Sequence, residues 1–138
     1  MSDVSHLVFI DSGVLIAAAR GVDPVAERAL AILGNAALRF ASSPFVRLEV
    51  LPKPHFLGRT AEVSFYQAFF EKVEVWSSVD ATVVGRAFDE AVRHGLGAVD
   101  ALLLVSAVSL GAEYFVTTEA KSKPIHRTDL VKVVSLAP

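Results

Sequence analysis

Hydrophobic and polar positions follow two rhythms along this chain. Short unbroken apolar runs, such as LVFI at residues 7–10 and YFV within EYFVTT, read as buried strands. Between such runs, apolar residues recur at helical spacing. PVAERALAILGN opens at Asp23-Pro24, where Asp suits an N-cap and Pro the first helical position, and it ends at Gly34-Asn35. The same signals predict a helix over GVLIAAARG stopping at Gly21, a strand over ALRFAS, and a short helix after Ser43-Pro44 containing FVRLEVL, stopped by Pro52 and Pro54. TAEVSFYQAFFEK reads as a longer amphipathic helix and VEVWS as a strand, and Asp80 caps the helix DATVVGRAFDEAVRHG. A further helix begins at or just before Asp100 in GLGAVDALLLVSAVSLG, with EYFVTT and LVKVVSL as the last strands. The polar residues 119–130, EAKSKPIHRTDL, read as a surface loop. Strands alternating with helices predict one α/β domain over residues 1–138, its parallel sheet covered on both faces.

Composition sharpens this picture. The 138 residues are 53% hydrophobic and 20% charged, with a mean hydropathy of +0.50. Such a chain is globular and unusually apolar, through helices apolar around much of their surface or through an oligomer interface. A net charge of −2 gives no general attraction to nucleic acid, so polyanion binding requires a local basic patch or a metal. The absence of cysteine excludes disulfides and thiolate metal sites and fits a reducing cytosol. The N-terminal apolar run lacks a basic region before it and is broken by Asp11, and no window approaches ~18 uninterrupted apolar residues. The expectation is a soluble, cytoplasmic protein with no membrane span.

Four acids stand in apolar surroundings. Asp11 directly ends the first strand, Glu49 lies inside FVRLEVL, Asp100 interrupts AVDALLLV, and Glu119 follows YFVTT. Ligands of open parallel sheets gather beyond the C-terminal strand ends, where strand order reverses. Asp11 and Glu119 belong to that edge by their order in the chain. Asp100 reaches it if the two helices between Asp80 and Leu110 form a hairpin. Two carboxylates ~4 Å apart repel by about 4 kcal/mol at an effective dielectric near 20, and a divalent cation removes that conflict. An all-oxygen set suits Mg²⁺ or Mn²⁺, metals of phosphoryl-transfer chemistry. Each acid also has a structural account: Asp11 or Asp100 as a helix cap, Glu49 on a wet helix face, Glu119 in a loop. Spacing alone leaves the two accounts level.

The same residues resemble a family. VFIDSGVLIAAARG looks like the opening strand and helix of PIN domains, the nucleases best known as VapC-type toxins of bacterial toxin–antitoxin pairs. FVRLEVLPKP resembles the second acidic segment of that family, and GLGAVDALLLVSAVSLGAEYFVTTE its most distinctive one, in the same order and spacing. The resemblance implies a three-layer α/β/α domain with a four- to five-stranded parallel sheet. It places Asp11, Glu49, Asp100 and Glu119 on metal-binding positions and Thr117 or Thr118 on a hydroxyl position of the same site. It further implies Mg²⁺ or Mn²⁺, hydrolysis of RNA by an activated water, a homodimer, and a small antitoxin partner. The chain departs from the pattern at Gly13, where Asn or Ser is frequent, at Leu103, where a polar residue is common, and at Glu119, which replaces Asp. Those departures keep open an alternative, a catalytically impaired PIN-like module that binds RNA or protein.

Other chemistry has little support. The chain has no Gly-rich phosphate loop, no G-x-S-x-G and no H-E-x-x-H. An aspartyl-phosphate phosphatase would want a second acid at the position of Gly13. His6, His55, His94 and His126 are scattered and read as surface residues, with His94 at a helix C-terminus. Arg20, Arg47, Lys53, Arg59, Lys121, Lys123 and Arg127 lie in loops or near helix ends and could contact phosphate, Lys121 and Lys123 foremost. Phe65, Tyr66, Phe69 and Phe70 share one helix and read as core or dimer interface.

Overall fold

A computed structural model describes residues 5–138. Its strands are β1 His6–Ile10, β2 Leu38–Ser42, β3 Val73–Trp76, β4 Tyr114–Thr117 and β5 Lys132–Ser135. They form one sheet in the order β3-β2-β1-β4-β5, every adjacent pair parallel. Helices α1 Ser12–Arg20, α2 Pro24–Leu33, α3 Pro44–Val50, α4 Pro52–Phe56, α5 Thr60–Lys72, α6 Ala81–His94 and α7 Ala98–Ser109 cover both faces, giving the expected three-layer α/β/α domain. β1 occupies the centre, so it is buried on both sides: Phe9 and Ile10 are fully buried, and Phe9 stacks on Phe115 of β4 at 5.6 Å.

The helix starts follow the local chemistry. Asp23 accepts from the Ala26 amide at 3.1 Å, Asp80 from Val83 at 3.0 Å, and Ser43 from Phe45 at 3.2 Å. Gly95, with φ of 70°, closes α6 in the left-handed conformation, and α7 leaves at 116° to α6. This hairpin returns the chain to the sheet and buries α7 through Ala101, Leu103, Leu104 and Val105. Among the described residues no single helix is long and apolar enough to cross a membrane.

Two expectations change. Pro52 and Pro54 do not simply stop a helix, because they start α4. Both stand in its first turn, where an amide proton has no intrahelical partner to lose. The polar stretch after Glu119 is not all surface loop: Pro124–Arg127 forms a 3-10 turn whose Ile125 enters the core. The expected core placement holds for Tyr66, Phe69 and Phe70, and among the described residues Phe56 and Phe88 are exposed aromatics.

Strand order reverses between β1 and β4, since β1 leads to β2 on one side and borders β4 on the other. The crevice beyond those two C-terminal ends is the natural ligand position.

Candidate metal centre at the sheet edge

Asp11 sits at this switch point. Its amide donates to the Val116 carbonyl at 2.9 Å, which extends the β1–β4 ladder by one rung and fixes the side chain above the sheet. The carboxylate is buried and divided between two partners. Oδ1 accepts from the Ser12 amide at 2.8 Å, and Oδ2 accepts from the Thr117 hydroxyl at 2.7 Å. Asp11 is thus the N-cap of α1 at the switch point of the sheet. Burial first, then the charges of Asp100 and Glu49, push its carboxyl from the usual 3.8 up to about 6 against the opposing pull of the Thr117 hydroxyl and the Ser12 amide.

Thr117, wholly buried at the end of β4, also accepts the Glu119 amide at 3.1 Å through the same hydroxyl. The Glu119 carbonyl accepts from the Ser135 hydroxyl at 2.7 Å and faces His126 Nε2 at 3.0 Å. The Glu119 backbone is therefore tied on both sides, and only its carboxylate is left to move. Asp100 lies in the first turn of α7, half-buried, and burial followed by the Glu119 charge raises its carboxyl above the usual range. Glu49, exposed on α3, accepts from the Ser12 hydroxyl at 2.5 Å.

The four acids thus interact in pairs: Asp11 with Asp100 and Glu49, and Asp100 with Glu119. Among the described residues no three acidic or histidine side chains close into a metal cage. Their donor chemistry nonetheless fits a hard cation. Every donor is oxygen, two of the acids carry raised proton affinity, and Mg²⁺ characteristically keeps several waters and takes few carboxylates.

The two threonines separate. Thr117 holds Asp11, whereas Thr118 leans over the start of α1, where a Cβ on Gly13 would stand 2.6 Å from its hydroxyl oxygen. Gly13 is what allows that approach. Leu103 is buried in the core, away from any polar role. Sequence reasoning missed Ser12, His126 and Ser135; Ser12 was the findable one, since its hydroxyl directly follows the strand-end acid. The surface reading holds for His6 and His55, but His94 is half-buried and His126 supports Glu119. Among the basic residues, Arg47 lies over the Phe70 and Trp76 rings and Arg127 donates to the His94 carbonyl at 3.0 Å. Lys121 and Lys123 are exposed just past Glu119.

A parallel five-stranded sheet with carboxylates gathered at its switch point defines a class of small α/β proteins with an acidic crevice. The PIN domain model matches residues 8–127, and the chain belongs to that family, whose members are generally nucleases that use divalent metals. Among solved structures the chain is similar to VapBC2 from Rickettsia felis bound to a promoter DNA fragment, with 18% identity, a TM-score of 0.65, and coverage of 94% of this chain and 98% of that one. DNA-bound VapBC from Salmonella typhimurium matches with 18% identity, a TM-score of 0.69, and coverage of 96% and 99%. A toxin–antitoxin complex from Klebsiella pneumoniae matches with 18% identity, a TM-score of 0.68, and coverage of 94% and 97%. At this identity the likeness is one of fold. No curated protein matches the sequence.

Proposed function

We propose that this chain is a metal-dependent endoribonuclease acting in the cytoplasm as the VapC-like toxin of a toxin–antitoxin pair. Asp11 carries the reading: an ionisable carboxylate buried at the switch point, raised to about 6, with Asp100 and Glu49 near enough to contribute. Such a group is strained when ionised alone and relieved by a cation. Asp11, Glu49, Asp100 and Glu119 would hold Mg²⁺ or Mn²⁺. The ion would supply charge neutralisation at the scissile phosphate and a water of lowered pKa.

The protein's own groups prepare that chemistry. Thr117 donates a hydrogen bond to Asp11, which leaves the remaining lone pairs of that carboxylate free for the crevice. Ser12 steers Glu49, and the tied Glu119 backbone limits where the fourth carboxylate can reach. Thr118 lines the same edge, and Lys121 and Lys123 meet phosphates of the RNA.

Two protein partners complete the proposal. A small antitoxin covers the site, a reading supported by the fold shared with proteins found in toxin–antitoxin complexes; the exposed apolar side chains of Leu48 and Phe56, on the helices that carry and follow Glu49, give it a footing. A second copy pairs through α6, where Val84, Phe88 and Val92 are exposed at four-residue spacing. A stripe along one helix is self-complementary under two-fold symmetry.

The decisive experiment is cleavage of a mixed RNA pool by purified protein with Mn²⁺, with Mg²⁺ and with EDTA, beside an Asp100→Asn protein prepared identically. Metal-dependent cutting that the variant loses is expected. Equal activity or equal inactivity of the two proteins would refute the catalytic assignment. Mn²⁺ binding by an inactive wild type would then support the non-catalytic binding module instead.

A further inference from the structure

Next to the acidic crevice, α1, α3, α4 and the start of α5 enclose a cavity of about 130 Å³. Glu49 lines both places. Three cations line the cavity, Arg20 from the last turn of α1, Lys53 from α4 and Arg59 from the turn before α5. Gly58, with φ of 68°, makes that turn, and the Arg59 amide donates to the Pro54 carbonyl at 2.8 Å, so the backbone under Arg59 is fixed.

These cations are gathered without being spent. Arg20 Nε and Arg59 Nη1 share one carboxylate, Glu62, at 3.9 and 3.8 Å, both too long for hydrogen bonds. Glu62 is largely buried and accepts instead from the Tyr66 hydroxyl at 2.7 Å. Lys53 has no ion-pair partner among the described residues. Three cations therefore face two carboxylates, and one of these, Glu49, belongs equally to the acidic crevice. The donors remain available to an anion of small size.

Resting on the ribonuclease reading, we infer that this cavity is a phosphate subsite of the nuclease, taking an RNA phosphodiester adjoining the one cleaved. Continuity favours RNA over an acidic peptide, because a polyphosphate backbone runs from the crevice into the cavity past a residue common to both. Glu62 is the positioning residue that draws Arg20 and Arg59 together. Any cation in the crevice that takes up the Glu49 charge makes the cavity more positive, so metal and RNA strengthen each other's binding.

The test uses the full chain and a fluorescein-labelled single-stranded RNA in EDTA, where binding is read by anisotropy without cleavage. Lys53→Ala with Arg59→Ala is expected to weaken binding at least tenfold and to lower the slope of log K against log salt by about 1.4, two phosphates at ~0.7 each. Arg86→Ala, an exposed cation on α6, is expected to change neither. In cleavage assays the double variant should raise KM and leave kcat within about twofold. Lys53→Arg with Arg59→Lys should restore binding, which separates charge from folding. Wild-type cleavage together with unchanged affinity and salt slope in the double variant would overturn the subsite and leave the ribonuclease standing. Labelled polyglutamate is expected to bind wild type far more weakly than RNA of equal charge; polyglutamate binding as tight as that of RNA, and lost in the double variant, would assign the cavity to an acidic peptide instead. If wild type neither binds nor cuts RNA, the underlying reading fails.

Discussion

Replacing Asp11 by Asn isolates the charge at the centre of the site. The carboxyl is raised from 3.8 to about 6, chiefly by burial. At about 1.4 kcal/mol per pH unit, an ionised Asp11 costs the metal-free fold about 3 kcal/mol. The sign follows from proton binding. Between about pH 4 and pH 6 the folded state holds a proton that the unfolded chain has released, so stability falls as pH rises. Above pH 6 the full cost applies, and below pH 4 it is absent. Asn removes the charge and keeps the Ser12 amide bond through its carbonyl. Its amino group then faces the Thr117 hydroxyl, which must turn its proton away, at a cost of about 1 kcal/mol. The variant should therefore be about 2 kcal/mol more stable than wild type in EDTA at pH 8, roughly 5–8 °C in Tm for a domain of this size. Near pH 4 the advantage should vanish or reverse. Thermal melts by circular dichroism across pH 4–8 read this directly, and the variant should also lose cleavage. An Asn protein less stable than wild type by the same amount at pH 4 and pH 8 would refute the reasoning, because the charge would then carry no strain.

Thr117→Val leaves Asp11 Oδ2 and the Glu119 amide without their partner; urea unfolding at pH 8 should show a loss of about 1–3 kcal/mol, and Thr117→Ser should recover most of it. Gly13→Ala puts a Cβ against the Thr118 hydroxyl but adds about 1 kcal/mol of helix propensity within α1, so its net effect should be small, and Thr118→Ala in the same chain should release the gain in a double-mutant cycle. Phe88→Glu, at a residue 68% exposed, should leave Tm nearly unchanged while sedimentation shifts from dimer to monomer; a variant that sediments like wild type would remove α6 as the pairing face.

The fold was legible because its signals are local. Asp23-Pro24, Ser43-Pro44 and Asp80 each start a helix by hydrogen bonds within three residues, and the apolar runs LVFI and YFV are short because the central strands they form are short. Pro52 and Pro54 misled because a proline marks either an end or a beginning, and the choice depends on whether the next turn has something to rest on. Here α4 does, through the buried side chain of Pro54. The aromatic cluster of α5 was ambiguous for a related reason. Spacing shows that Tyr66, Phe69 and Phe70 share a face, and only the tertiary arrangement shows that β2 and β3 lie under it, with Phe40 and Trp76 in contact.

The candidate site could be read from the sequence as a list of acids but not as a set of relations. Asp11 posed a choice between helix cap and ligand, and capping does not close off the second role, because a carboxylate has two oxygens and the protein uses them differently. Oδ1 holds the start of α1 through Ser12, and Oδ2 holds Thr117 across the switch point. Both bonds favour the ionised form, and burial, with the charges of the neighbouring acids, outweighs them and holds the group at about 6. The Glu119 departure follows the same logic. A longer side chain is usually a looser one, but here its backbone is tied by Thr117, Ser135 and His126, so the added length becomes reach from a fixed base. None of those three partners is an acid, and none could be chosen from spacing. What a strand-end carboxylate can do is therefore decided by the hydroxyls and amides around it, and in this chain Thr117 joins the two acids that the sheet brings to its centre.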